Sequence, residues 1–325
     1  MIGLLSFTRK FSSKPGFVVT RDTITQHINP SKKYIDEYMK SYGKRPDFRR
    51  SDFDVWSCHD QHVRVFYTPK DSIELMTTFQ FNYFQHIHKP DEKLCFGGLY
   101  WVNPKYRGKA IMKISQEDML SQQIAFLPFS ASLAPASVKS MSKVMAGMMF
   151  NLFNYNVTYY KPEDLEIPKD LNVDGIRVTS FDKSQCDKLT QYDQSIFPYH
   201  REKLMIAYFS DPKNISKIAY DEDGNVIGFG YLALFESGEA IMYALYADNI
   251  NVTHAIFANI LTDAPMHKIK RFEIRTPDCA YKWIQPFVKN ERETKHKATV
   301  VCTEPKADYR LEKVYVNSHP AAAPI

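Results

Sequence analysis

The chain has 325 residues, more than one hydrophobic core usually serves, and its 44% hydrophobic and 14% aromatic content can fill two cores. No run approaches the roughly 18 uncharged apolar residues that a membrane-crossing helix needs, so no membrane partner is expected. Of the formal charge of +5, the first 21 residues hold +4 (Arg9, Lys10, Lys14 and Arg21, with no acid), which leaves +1 for the rest and no basic footprint for nucleic acid.

Residues 1–17 read MIGLLSFTRKFSSKPGF, basic and serine-bearing without an acid. That composition fits a mitochondrial leader, with matrix import expected and a cytoplasmic location as the alternative. Arg9-Lys10-Phe11-Ser12 supplies a processing pattern and predicts a mature start near Ser12. Residues 29–42 predict a helix with Tyr34, Tyr38 and Met39 on one face. Lys44, Arg45, Arg49 and Arg50 form either an anion patch or a solvated surface. Asp54–Cys58 and His62–Tyr67 read as short strands. Thr77–Phe84 alternates, with Phe79, Phe81 and Tyr83 on one face and Thr78, Gln80 and Asn82 on the other, which predicts a half-buried strand. Leu94–Val102 is apolar on both faces, as a central strand should be. A helix follows from Ile111 to about Gln123, then a strand over Ile124–Leu133. Ser137–Phe150 predicts a helix with a methionine stripe that reads as core packing, and Asn156–Tyr160 a closing strand.

Lys161–Gly175 carries two prolines and no periodicity and reads as a linker. Beyond it the pattern repeats. Ile176–Ser180 is a strand, and Lys183–Ile196 and Tyr199–Phe209 are helices. Ile218–Tyr220 and Val226–Phe235 are strands joined at Asp221–Asn225, where Gly224 meets the need for positive φ. Ala240–Tyr246 is a central strand, and Asp248 or Asn249 caps a helix to about Leu261. Lys270–Arg275, Thr299–Thr303 and Leu311–Val316 are strands, with a helix over Asp278–Val288. Two compact domains, each with its own mixed sheet, are expected to meet at the linker. Five scattered cysteines (Cys58, Cys95, Cys186, Cys279, Cys302) lack zinc or redox spacing and read as mostly buried free thiols of a reducing compartment; no metal is expected.

Gly97–Ile111, with its Val102-Asn103-Pro104-Lys105-Tyr106-Arg107-Gly108-Lys109 core, resembles motif A of the GNAT (acetyl-coenzyme A N-acyltransferase) superfamily. In the second half, Phe197–Arg201, Asp223–Gly230 and Ala244–Asp248 resemble the C-terminal domain of YitH/HolE-type acetyltransferase-like proteins. The resemblance implies an α+β / α/β fold of two tandem GNAT domains, each a mixed, mostly antiparallel sheet flanked by helices. Residues 18–160 would be the N-terminal GNAT-like domain, 161–175 the linker and 176–325 the YitH/HolE-like domain. It also implies acetyl-coenzyme A as co-substrate, held by Tyr100, Trp101, Val102, Arg107, Gly108, Lys109, Ala110, Ile111 and Met112. Backbone N–H groups of such a loop, backed by a helix N-terminus, cradle a pyrophosphate.

Two family glycines are Ala110 and Met112 here, and an alanine at positive φ costs about 1–2 kcal/mol. The family's acidic tyrosine falls near Met145, and the second half lacks the glycine-rich loop. Candidate bases are His86 and His88, on one face of the alternating strand, and Glu239; a structural role is the alternative for each. The expected function is acyl transfer to a small-molecule amine or amino acid. The alternatives are a catalytically inactive GNAT-fold protein that binds acyl-coenzyme A or a metabolite, and an interaction module.

Overall fold

The computed structural model describes residues 19–42, 48–121, 129–133, 150–290, 296–302 and 309–317. The leader, Lys44, Arg45 and the helix expected over Ser137–Phe150, with Met145, lie outside them, except that Phe150 opens a strand. The first half runs β1 (Ile24–Ile28), α1 (Lys32–Tyr42), α2 (Asp52–Trp56), β2 (His62–Pro69), β3 (Thr77–Gln85), β4 (Lys93–Val102), α3 (Ile111–Ser121), β5 (Phe129–Leu133) and β6 (Phe150–Tyr160). The second runs β7 (Arg177–Ser180), α4 (Cys186–Ile196), α5 (Glu202–Ser210), β8 (Asn214–Tyr220), β9 (Val226–Leu234), β10 (Glu239–Ala247), α6 (Ile250–Asp263), β11 (Arg271–Pro277), β12 (His296–Cys302) and β13 (Val314–Val316). Gly224 has φ 79°, as the turn between β8 and β9 requires. The helix expected over Asp278–Val288 is a 3₁₀ segment, Tyr281–Phe287, that contains Pro286.

The fold class is as expected, mixed and mostly antiparallel with flanking helices. The expectation of a separate sheet for each half is corrected. The strands form one 13-stranded sheet in the order β1-β2-β3-β4-β5-β12-β6-β11-β10-β9-β8-β7, with β13 added against β10. The halves exchange strands at its centre: β12 lies between β5 and β6, and β6 pairs with β11 through Tyr155–Tyr160. The linker is docked as well. Leu165 bridges to Val288, the Glu166 N–H donates to Phe287 O at 2.9 Å, and the Lys289 N–H donates to Asp164 O at 2.9 Å.

Aromatic burial fuses the halves. One continuous core joins Tyr38, Phe53 and Trp56 to Phe209, Phe229, Tyr231 and Tyr243. Asp54–Cys58, read as a strand, lies instead mostly in α2. Asp52 in its first turn accepts from Arg49, and the Trp56 indole donates to the Tyr208 hydroxyl across the seam. Arg49 is therefore neither solvated nor free for an anion. It is buried, with its guanidinium 2.8 Å from Asp52 and 3.1 Å from Asp211.

The β3 expectation is also corrected. Phe79 and Phe81 pack with Ile111 and Ile114 of α3, but Thr78, Gln80 and Asn82 on the other face are fully buried too. The five cysteines are free, but only Cys95 and Cys302 are buried, which corrects the expectation of mostly buried thiols.

Candidate functional site

The site is built where β4 leaves its neighbours. β4 pairs antiparallel with β3 along its length, but its register slips between Thr78 and Gln80, and Leu99 turns to φ 55°. That is a β-bulge, which bends a strand and raises its twist. Two threonines of β3 hold it: the Thr78 hydroxyl donates to Leu99 O at 3.0 Å and the Thr77 hydroxyl to Trp101 O at 2.8 Å. On the other side, β4 pairs with β5 only through Cys95, Phe96 and Gly97. β5 turns to β12 instead, pairing from Ser130 to Leu133. From Gly98 to Val102, the edge of β4 facing β5 has no strand partner among the described residues. The sheet is splayed there.

The expected loop closes that splay. Asn103 ends β4, donating its N–H to Met76 O at 2.9 Å while its side chain accepts from the Lys105 N–H at 3.0 Å. A 3₁₀ turn (Pro104–Tyr106) follows, anchored by buried Tyr106, whose hydroxyl donates to Glu74 at 3.0 Å. Lys105, 2.8 Å from the same carboxylate, holds Glu74 below the usual carboxylate range. Arg107 is exposed and donates through Nε to Val102 O at 3.1 Å, which curls the side chain against the strand end. Gly108 has φ 78° and Ala110 φ 61°. Two left-handed residues, three positions and one position before the helix start, aim the chain into α3.

Among the described residues no backbone carbonyl accepts from the N–H groups of Gly108, Ala110, Ile111 or Met112. The first turn of α3 holds no acid. The acids further along are occupied: Arg21 pairs with Asp118 and with Glu117 at 3.2 Å, and Tyr67 donates to Asp118 at 2.7 Å. N–H groups with no backbone acceptor among the described residues, the positive end of a helix and flanking Lys105, Arg107 and Lys109 make a cradle suited to a phosphate. The Met112 side chain lies outside the described residues.

Ala110→Gly is expected to leave stability unchanged or raise it by up to about 1 kcal/mol. Relief of left-handed strain, about 1–2 kcal/mol, outweighs the entropy that a glycine adds to the unfolded chain. Urea unfolding checks this; a loss of about 1 kcal/mol, ordinary for glycine, would show that Ala110 is not strained.

The second half repeats this geometry and fills it. β10 pairs in parallel with β11 only from Glu239 to Met242, so the sheet splays again. β13 occupies the gap, with Val316 opposite Leu245, Val314 opposite Tyr246, and the Asn317 N–H bonded to Arg275 O at 2.9 Å. The N-terminus of α6 is satisfied from within, because the Asn249 side chain accepts from the Asn251 and Val252 N–H groups at 3.0 and 3.1 Å. Asp248 beside it accepts from Tyr192 at 2.9 Å and Lys313 at 2.7 Å. A carboxylate and a capping amide stand where an anion would sit.

The candidate bases are not brought to the splay. His86 lies past the far end of β3, whose register sets Gln85 opposite Lys93 and Thr77 opposite Val102, roughly 25 Å apart at 3.3 Å per residue. There it packs edge-on against Tyr199 at 5.0 Å and accepts the His88 N–H at 3.0 Å, while Tyr199 donates to Glu92 at 2.6 Å. His88 is exposed beside it. Both belong to the seam between the halves, where Ile87 N–H meets Pro198 O at 2.9 Å and His200 N–H meets Gln85 O at 2.8 Å. Glu239 starts β10 and is held by Arg271, whose guanidinium stacks on Tyr159 at 4.4 Å. Tyr100, Trp101, Val102 and Arg107 to Met112 do converge on the splay and its loop. The threonine locks were missed; the strand expected over Leu311–Val316 is present as Val314–Val316, but its role as filler of the groove beside β10 was not read.

A family model described as a protein of unknown function (DUF1248) matches residues 21–196. No curated protein matches the chain. Among solved structures, a candidate acetyltransferase from Pyrococcus horikoshii aligns over 96% of this chain and 100% of its own, at 14% identity and a TM-score of 0.68. N-myristoyltransferase of Saccharomyces cerevisiae, with bound myristoyl-CoA, aligns over 94% and 82% at 9% identity and TM-score 0.58. A tandem GNAT protein from the clavulanic acid biosynthesis pathway aligns over 87% and 100% at 7% identity and TM-score 0.55. At such identities the likeness is one of fold.

Proposed function

The chain belongs to the DUF1248 family and has the GNAT fold, and from that premise we propose that it is an acyl-coenzyme A-dependent N-acyltransferase acting on a small amine or amino acid. Its two halves are read as tandem GNAT units, the second of YitH/HolE type, and the thioester is assigned to the first half alone. The observation that carries this is the contrast between the grooves: among the described residues the splay beside β4 has no strand partner and ends at a helix whose first turn holds no acid, whereas the splay beside β10 is filled by β13 and its helix is capped by Asn249. The pantetheine would lie along Tyr100–Val102 and the pyrophosphate against Arg107–Met112. The amine attacks the thioester carbonyl, the C–S bond breaks, and coenzyme A leaves as the thiol. Backbone N–H groups of the bulged strand would stabilise the oxyanion. Acetyl is taken as the acyl group and the mitochondrial matrix as the location, the latter on the leader alone.

A catalytically inactive protein that binds the thioester is the second reading, favoured by the strained Ala110 and by the distance of His86 and His88 from the splay. Titration calorimetry with coenzyme A and acetyl-coenzyme A tests both. Arg107→Ala is expected to weaken binding about ten- to a hundredfold, since a charge-assisted hydrogen bond is worth about 1.5–3 kcal/mol. No heat from the wild type at about 1 mM ligand, weaker than any useful affinity, overturns the thioester assignment. Binding without thiol release over a panel of amines leaves the second reading.

A further inference from the structure

The described residues hold four buried arginines: Arg49, Arg64, Arg201 and Arg275. Three carry a buried carboxylate: Arg49 has Asp52 at 2.8 Å, and Arg201 and Arg275 have Asp193 and Glu273, each at 2.6 Å. Arg64 has none among the described residues. Its Nη2 donates to the Phe53 carbonyl at 3.2 Å, its guanidinium lies 4.7 Å from the Phe53 ring and 5.8 Å from the Trp56 ring, and its Nε is buried without an acceptor. Burial lowers its pKa to about 10, against the pull of Asp54. Asp54 itself lies 3.8 Å from Arg50, which is also 2.9 Å from Asp36. A buried cation whose siblings are all matched is a position that awaits an anion.

Its place in the sheet says which anion. Arg64 of β2 stands opposite Gln80 of β3, and Gln80 opposite Gly98 of β4, so the three form one row across the face that α1 and α2 cover. Gly98 adds no side chain to that row, and the next residue is the bulged Leu99. From Arg64 to Gly98 is two strand spacings, roughly 9.5 Å between Cα atoms, a gap that an arginine side chain largely spans. The row thus leads from the bulge, where the thioester carbonyl is assigned, to a guanidinium that has no buried carboxylate among the described residues and whose fork suits one.

We propose that Arg64 is the receptor for a carboxylate on the acyl acceptor, which makes the acceptor an α-amino acid rather than a simple amine. This rests on the acyltransferase reading for the word acceptor, but the carboxylate site stands on the row itself. Gln80, opposite both Arg64 and Gly98, is the neighbour through which the carboxylate and the amine are set apart.

Thermal unfolding of the full chain tests it, with and without about 1 mM coenzyme A, in the presence of each common α-amino acid at about 10 mM or of the amine formed by its decarboxylation. At least one amino acid is expected to raise the midpoint by about 2–4 °C, with no shift from its amine. Arg64→Gln abolishes the shift, and Arg64→Lys, which keeps the charge but loses the fork, retains part of it. If Arg64→Gln does not fold, the wild-type comparison and Arg64→Lys still decide. No amino acid shifting the wild type, amine and amino acid shifting it equally, or an undiminished shift in either variant overturns the proposal. The coenzyme A titration reads the other claim separately: an amino-acid shift without coenzyme A binding keeps the carboxylate site and removes acyl transfer.

Discussion

Arg201→Met is expected to lower the unfolding free energy by about 3–5 kcal/mol, the usual cost of leaving one member of a buried ion pair alone. Arg201, the N-cap residue of α5, reaches Asp193 of α4 through two hydrogen bonds, Nε to Oδ2 at 2.9 Å and Nη2 to Oδ1 at 2.6 Å, with both side chains at most 3% exposed. Burial opposes the arginine's charge, but the Asp193 carboxylate outweighs it and keeps the proton on Arg201. The guanidinium also lies 4.4 Å from the Phe197 ring and 5.8 Å from Tyr246, so methionine replaces most of the volume but none of the charge. What remains is a carboxylate with no cation in a dry site. Asp193→Leu combined with Arg201→Met should recover most of the loss, because two apolar side chains remove both desolvation costs together. Urea unfolding of the wild type, the two single variants and the double variant measures the coupling. A single-variant loss below about 1 kcal/mol would mean that water reaches the pair and screens it as on a surface.

A chain ending at Lys313 is expected to lose about 4–9 kcal/mol of stability. Val314 and Val316 are both fully buried, and burial of each valine contributes about 1.5–3 kcal/mol. The backbone bonds of β13 to β10 and of Asn317 to Arg275 add about 0.5–1.5 kcal/mol each. The same truncation tests the assignment of the two grooves. If β13 is a permanent filler, the shortened protein, held below its lowered midpoint, still binds one coenzyme A per chain with affinity of the same order. Two equivalents per chain would make the second groove a ligand site that the strand had covered. A stability loss under about 1 kcal/mol would show that β13 is not part of the folded sheet's core.

The local grammar of the chain was readable because it depends on neighbours a few residues apart. Alternation marked β3, and the run Asn103-Pro104 marked the end of β4. Asp221–Asn225 announced a hairpin with Gly224 at positive φ, and Asp248 or Asn249 announced the cap of α6, which the structure gives to Asn249. Each of these is set by backbone sterics or by a side chain reaching its own backbone within four residues. The resemblance to motif A rested on the same kind of local run, and its residues do converge on the splay.

Tertiary structure decided the rest. Asp52–Trp56 is too short for periodicity to separate helix from strand, and its state follows from Arg49 and from Tyr208, 152 residues away in sequence. The polar face of β3 reads as solvent-facing until α1 and α2 cover it. Nothing local in β6 or β12 says that each pairs into the other half, and nothing local in Val314-Tyr315-Val316 says that it fills a groove. His86 and His88 looked like a base because spacing reports a shared face, not which end of the sheet that face occupies. Propensity, turns and caps are properties of short stretches, whereas strand order, strand exchange and the matching of buried charges depend on partners such as Arg49 and Asn214, 165 residues apart. Only folding brings such partners together, so the sequence alone determined the elements and the loop, and the fold decided which groove β13 fills and which buried arginine has no buried carboxylate among the described residues.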